Sequence, residues 1–298
     1  MLCNKWSLIS SLAALTLLAP IGSGDARGTK SADEGHGIDT EHIFGFVEGS
    51  DTGEKGEFEA EFESSNGFGK RSGTYFVSSN EAQLKYSITD NFRIGSMLAF
   101  SQHNISNVPD LDSRNQFAFM GAGVEMRYRL LNWRTAPFGL TFSASPIWTR
   151  RDEATGEPVK QFGLELAALF DKELVKDRVF AAFNVLYEPR WTHVTTRGAS
   201  EQEATFGIGG AISTQIMPGI FVGGELRYLR AYETAGLSKF AGQALFLGPT
   251  AYVTLSDRAT LTLAWNAQIA GKGIGDADAL DLTNFDRHQI LLRFALSF

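Results

Sequence analysis

Three short motifs set an acid two residues before a base: Glu125 with Arg127, Glu188 with Arg190, and Glu225 with Arg227. Residues two apart share one face of a β-strand, so on strands each pair projects together. Beside them stand a run of alternate acids, Glu57, Glu59, Glu61 and Glu63, and the single charges Lys85, Arg93, Arg129, Glu165 and Arg293. Gathered on one surface, such groups can do two things. They can cross-link one another as ion pairs that hold a shape, or they can stay hydrated and select solutes by charge, as side-chain rings do in channels.

Catalytic and metal chemistry find less support. A hydrolase needs a convergent set. The histidines are His36, His42, His103, His193 and His288, and no His-x-Ser occurs. Asp286-Arg287-His288 has the spacing of an acid–histidine pair, but His288 falls in the alternate row Ile290, Leu292, Phe294, Leu296, Phe298 and so faces away from the charges. His36 and His42, near Asp39 and Glu41, lie in a Gly-rich polar stretch where solvated side chains are the simpler reading. Asp276, Asp278 and Asp281 hint at a divalent cation without the spacing of an EF-hand. The reading is no metal, no cofactor and no enzyme. The formal charge of −7 also disfavours a nucleic-acid protein, which carries a basic stripe.

The elements that must position the charges are strands. Residues 1–26 read as a secretory signal peptide, with Lys5 before the apolar run from Trp6 to Ile21 and small residues after it. The single cysteine, Cys3, lies within it, which removes disulfides and thiol chemistry from the rest. Residues 27–55 are polar and Gly-rich and read as a periplasmic extension, with order expected only around Ile43, Phe44 and Phe46, and whether it plugs the lumen stays open. Beyond them the chain alternates. Strands are expected over about 56–65, 73–88, 92–103, 116–131, 137–149, 158–170, 178–191, 202–216, 220–231, 241–255, 259–270 and 286–298.

The outward rows include Phe58 and Phe62; Ala82, Leu84 and Tyr86; and Met120, Val124, Met126 and Tyr128. Connections at 89–91, 132–136, 171–177, 217–219 and 256–258 are compact, and those between them are mostly longer and polar. The fold class is therefore all-β, a transmembrane antiparallel up-and-down β-barrel of about 12 strands over residues 56–298, with short turns at one end and long loops at the other. Closure sets the last strand beside the first, which makes Arg293 a partner for Glu59 or Glu61. Trp133, Trp148, Trp191, Tyr187, Tyr228 and Tyr252 are expected in aromatic girdles at the rims.

The final strand, with Phe294, Leu296 and Phe298 on one face, resembles the assembly signal of Gram-negative outer-membrane β-barrels. That resemblance implies outer-membrane lipid and lipopolysaccharide as surroundings, the latter met by Arg150 and Arg151 on a loop, and the barrel-assembly machinery as a partner. Gly53-Glu54-Lys55-Gly56, leading into an alternating strand, is similar to the start of barrels assigned to transport of hydrophobic compounds in phenol degradation, although a charged lumen argues against apolar cargo. Three functions stay open. They are a narrow pore or passive path for small polar solutes, a structural or surface-interaction barrel whose lumen is closed by salt bridges, and, with least support, an outer-membrane hydrolase.

Overall fold

The computed structural model describes residues 38–274 and 278–298; the expected signal peptide, His36 and Asp276 lie outside them. Twelve strands follow in order: β1 (Phe58–Phe68), β2 (Thr74–Thr89), β3 (Phe92–Ser106), β4 (Arg114–Leu131), β5 (Gly139–Arg151), β6 (Pro158–Val175), β7 (Val179–Val194), β8 (Ala199–Met217), β9 (Ile220–Tyr232), β10 (Phe240–Ser256), β11 (Ala259–Gly273) and β12 (His288–Ser297). Each pairs antiparallel with its sequence neighbours, and β1 pairs with β12, so the sheet closes into a barrel with no free edge. The expected count holds, and so does the alternation of short and long connections except at β4–β5, where residues 132–138 form a connection longer than those at 69–73, 152–157 and 195–198.

The period-two pattern decides which way each side chain points. Phe58, Phe62, Leu84, Leu98, Tyr128, Phe142, Phe183, Ile212, Leu226, Leu263 and Trp265 are exposed on the outer wall. The alternate positions Glu59, Glu61, Lys85, Arg93, Glu125, Arg127, Asn184, Glu225, Asn266 and Arg293 are buried within. An apolar outside around a charged inside inverts the dressing of a water-soluble protein and suits a barrel surrounded by hydrocarbon. At the long-loop end, Trp148, Phe162 and Trp191 lie side by side on the outer wall, with ring centroids 5.5 and 5.9 Å apart, as a girdle requires.

Three expected outward residues face inward instead. A bulge between Phe119 and Gly121, opposite Phe100 and Ala99, adds one residue to β4 and turns Met120 into the lumen. Tyr252 is buried against Phe221. Trp133, in the β4–β5 turn, packs edge-on to Phe180. Both aromatics belong to an internal apolar cluster, because something inside the barrel gives them a partner.

That partner is the N-terminal segment. Residues 38–52 enter at the short-turn end, climb into the lumen and return to the same end before β1 begins. Ile43, Phe44 and Val47 are almost fully buried against Phe180, Ala182, Ala211, Phe221 and Tyr252. The return turn depends on Gly53 and Gly56, at φ 72° and 89°, conformations that cost a side chain little only in glycine.

Candidate functional site: a plugged, charged lumen

The lumen floor has two unlike halves. Strands β12 and β1 to β4 contribute most of its charge, with Asp171 on β6 and Glu225 and Arg227 on β9 apart from them, and β7 to β10 contribute the apolar cluster. The inserted segment matches both. Its Ile43, Phe44 and Val47 meet the apolar wall, while Glu41, Glu48 and Asp51 meet the basic residues opposite.

Arg93 holds Glu41 through two bonds, of 2.5 and 2.6 Å, and reaches Glu125 at 3.2 Å. Arg127 lies 3.1 Å from Glu41 and 2.9 Å from Glu125, and bonds Glu48 as well. The Lys85 ammonium stands 3.2, 3.2 and 2.9 Å from Glu41, Glu59 and Glu61. Gly95 lies between Lys85 and Glu125, where even a Cβ would come 3.2 Å from the lysine stem. Arg129 donates to Asp51 at 2.7 Å.

Arg293 bears out the expected seam in part. The β1–β12 register sets it opposite Glu63. It bonds Glu63 at 2.7 Å and the inserted Glu48 at 2.7 Å, and keeps the expected Glu61 as a longer ion pair at 3.8 Å, whereas Glu59 turns to Lys85 instead. Glu57 is a correction. It precedes β1 and accepts the backbone N–H of Glu54 at 2.8 Å, so it caps the return turn and takes no part in the luminal network.

The three acid-x-base motifs have three different fates. Glu125 and Arg127 form the expected pair. Glu188 and Arg190 stand 3.9 Å apart, and Arg190 lies nearer to Glu153, at 3.2 Å. Glu225 and Arg227 do not pair at all: both grip the segment. The Glu225 carboxylate accepts the N–H groups of Phe46 and Val47, at 3.2 and 3.0 Å. The Arg227 guanidinium lies over the Phe46 ring at 3.9 Å from its centroid.

Further wall residues, all but Asp171 uncharged, complete the seat, and nothing in their sequence positions marked them. Asn184 donates to the carbonyl of Glu48 and accepts its N–H, both at 2.8 Å. Asp171 accepts the N–H and hydroxyl of Ser50, at 2.8 and 2.7 Å, and the hydroxyl of Thr40. Thr262 donates to the carbonyl of His42 at 2.6 Å and Ser87 to that of Thr52 at 2.7 Å. The segment's buried backbone groups are thus met by side chains rather than by a sheet ladder.

His42 sits among three carboxylates, a set of metal-ligand types. Its Nδ1 lies 2.5 Å from Asp39, and its Nε2 lies 2.8 Å from Glu61 and 3.6 Å from Glu59. Glu41, His42, Glu59 and Glu61 could together offer ligands to a cation. The Lys85 ammonium already stands among all three carboxylates, so a divalent ion would meet its repulsion. Burial opposes the charge on His42, yet Asp39, Glu59 and Glu41 hold its imidazole protonated well above the ordinary range. Burial likewise pushes Glu41 up, but Arg127, Arg93 and Lys85 outweigh it and keep the carboxyl well below its usual range. Asp51 is pushed up to about 6 by burial and by Asp39, against the pull of Arg129 and Arg134.

Above the segment a cavity of about 360 Å³ opens toward the long-loop end. Phe46, Glu48, Arg127 and Arg293 form its floor, and Glu81, Glu153, Glu165, Glu188, Arg190 and Arg227 its walls. Glu165 has no hydrogen-bond or ion-pair partner among the described residues. The β11–β12 loop narrows the mouth by burying Leu282 and Phe285. Asp281 is buried there and occupied by Asn284, at 3.1 Å from its backbone N, so it is not a free cation ligand. Asp286 pairs with Lys70 at 3.2 Å, whereas His288 lies against Trp265 on the outer wall, so these two do not converge.

In fold, the chain is similar to the COG4313 outer-membrane channel from Pseudomonas putida F1, with a TM-score of 0.59 at 13% identity over 84% of this chain and 98% of that one. It also matches the translocator domain of the autotransporter NalP from Neisseria meningitidis (TM-score 0.48, 11% identity, 83% and 89% covered) and the NanC porin (0.45, 8%, 81% and 98%). No curated protein sequence matches it. Residues 36–298 match a family described only as one of unknown function, DUF6662, and the chain belongs to that family.

Proposed function

We propose that this protein is an outer-membrane barrel that provides a narrow path for small polar solutes, with the N-terminal segment as its floor. The observation that carries this reading is the contrast between the two levels of the lumen. In the floor nearly every charge is spent on a partner. In the cavity above, Glu81, Glu153, Glu165 and Glu188 outnumber Arg190 and Arg227, Arg190 serves both Glu153 and Glu188, and Glu165 borders the open space with no cation at ion-pair distance among the described residues. Charges placed only to brace a wall would be paired. Carboxylates left facing a wet cavity favour hydrated, cationic or zwitterionic solutes over anions.

The apolar outer wall supports residence in a membrane, and the short-turn end faces the periplasm if the chain follows other outer-membrane barrels. Conductance of the refolded protein in planar bilayers tests the path, using the intact chain and a variant lacking residues 38–52. Silence from both at every voltage and salt concentration, with each shown to be a folded barrel, would sink it. The second reading, a closed structural or surface-interaction barrel, draws support from the saturated floor and expects that silence.

A further inference from the structure

We propose that residues 38–52 are a withdrawable stopper, and that the conducting form of the barrel has them drawn out toward the short-turn end. This rests on the reading of the lumen as a solute path and adds its regulation.

Three observations carry it. First, the segment is a loop and not a threaded chain. Its start is held at the rim, where Arg134 of the β4–β5 turn donates to the Ile38 carbonyl at 3.1 Å. Its end returns to the same rim, where Thr52 and Lys55 bond Asp90 of the β2–β3 turn at 3.0 and 2.9 Å. A loop with both ends on one side can leave without unthreading and without opening the wall.

Second, it contributes no strand to the sheet. Side-chain bonds and apolar contacts hold it, so its departure breaks no ladder, and water can replace each bond. Third, its fit is specific. Val47 Cγ2 lies 2.9 Å from where a Cβ on Gly209 would stand, and Ser50 Oγ lies 2.0 Å from a Cβ on Gly139, so the wall is hollowed for these residues.

The Val47–Gly209 approach supplies the experiment. A Val47→Cys/Gly209→Cys variant brings two thiols within disulfide reach. The only native cysteine, Cys3, is replaced by Ser as a precaution. In bilayers, the oxidised variant should be silent and its reduction should restore openings, with at least a roughly ten-fold change in open probability. Independently, a Val47→Cys single variant should react with an impermeant maleimide only under conditions that open the channel.

Equal conductance before and after reduction, with the disulfide verified, would overturn the stopper while leaving the path. So would openings without labelling. Conductance from the deletion variant alone, with the reduced pair and the intact protein silent throughout, would make the segment a fixed floor and also overturn it. Silence from all of them, folded, would remove the path itself.

Discussion

Arg293 shows how a single residue acquired its importance from two directions. It was legible in the sequence as the cation that closure brings to a row of acids, because strand order alone dictates that meeting. Its particular partners, Glu63 and Glu48, were not legible: one depends on register and the other on a segment that looked solvated. Replacing it, Arg293→Glu, buries like charges beside Glu63 and Glu48 and is expected to cost about 3–5 kcal/mol, seen as a lower urea midpoint of the heat-modifiable form. An unchanged midpoint would mean the network is solvated. Asn184→Ala leaves the N–H and carbonyl of Glu48 unpaired and should loosen the segment by about 1–3 kcal/mol, read as faster proteolysis within residues 38–52 with the barrel intact.

His42 gives a pH dependence at the same scale. Its pKa is raised on folding, so its contribution is complete below the ordinary imidazole value of 6.5 and is lost as pH climbs through the raised value. The stability advantage of the native protein over His42→Gln should therefore be larger at about pH 5 than at about pH 9. Equal advantages at both would show that His42 seats the segment without its charge.

Among the elements, the strands were readable because lipid outside and charge inside impose one period along their whole length. Reading failed where that period breaks. The bulge beside Met120 shifts β4 by one residue, and nothing in the residue types announces it. Tyr252 and Trp133 misled for another reason. An aromatic near a strand end looks alike whether it faces a lipid headgroup or the segment that carries Phe44. That residues 27–55 could plug the lumen was an open alternative, but the segment's course was hidden by composition, since a loop satisfied by the wall needs neither periodicity nor propensity. The one available sign was an apolar trio, Ile43, Phe44 and Val47, set between acids at Glu41 and Glu48. Burying each of the three contributes about 1.5–3 kcal/mol, enough to seat a loop that has no ladder. At the closing seam, Phe298 exchanges backbone bonds with Phe58, at 2.9 and 3.1 Å, and stacks on its ring. Deleting Phe298 is expected to lower the yield of protease-resistant, heat-modifiable barrel in the membrane, and a normal yield would dismiss it as an assembly signal.

For the whole molecule, the charge arrangement makes a prediction of its own. The acidic upper cavity should favour cations, so a Glu165→Gln/Glu188→Gln variant of the conducting form should show a reversal potential shifted toward anions under a salt gradient. An unmoved potential would place the selective step elsewhere. The looped course of residues 38–52 also bears on the order of events in time. The segment is tethered to the first strand, yet its seat is assembled from all the strands that follow, from Lys85 on β2, Arg93 on β3 and Arg127 on β4 to Arg293 on β12. Its seat is therefore complete only when β12 has closed against β1 and Arg293 has come within reach of Glu48. A fully docked segment thus certifies that the cylinder around it is whole.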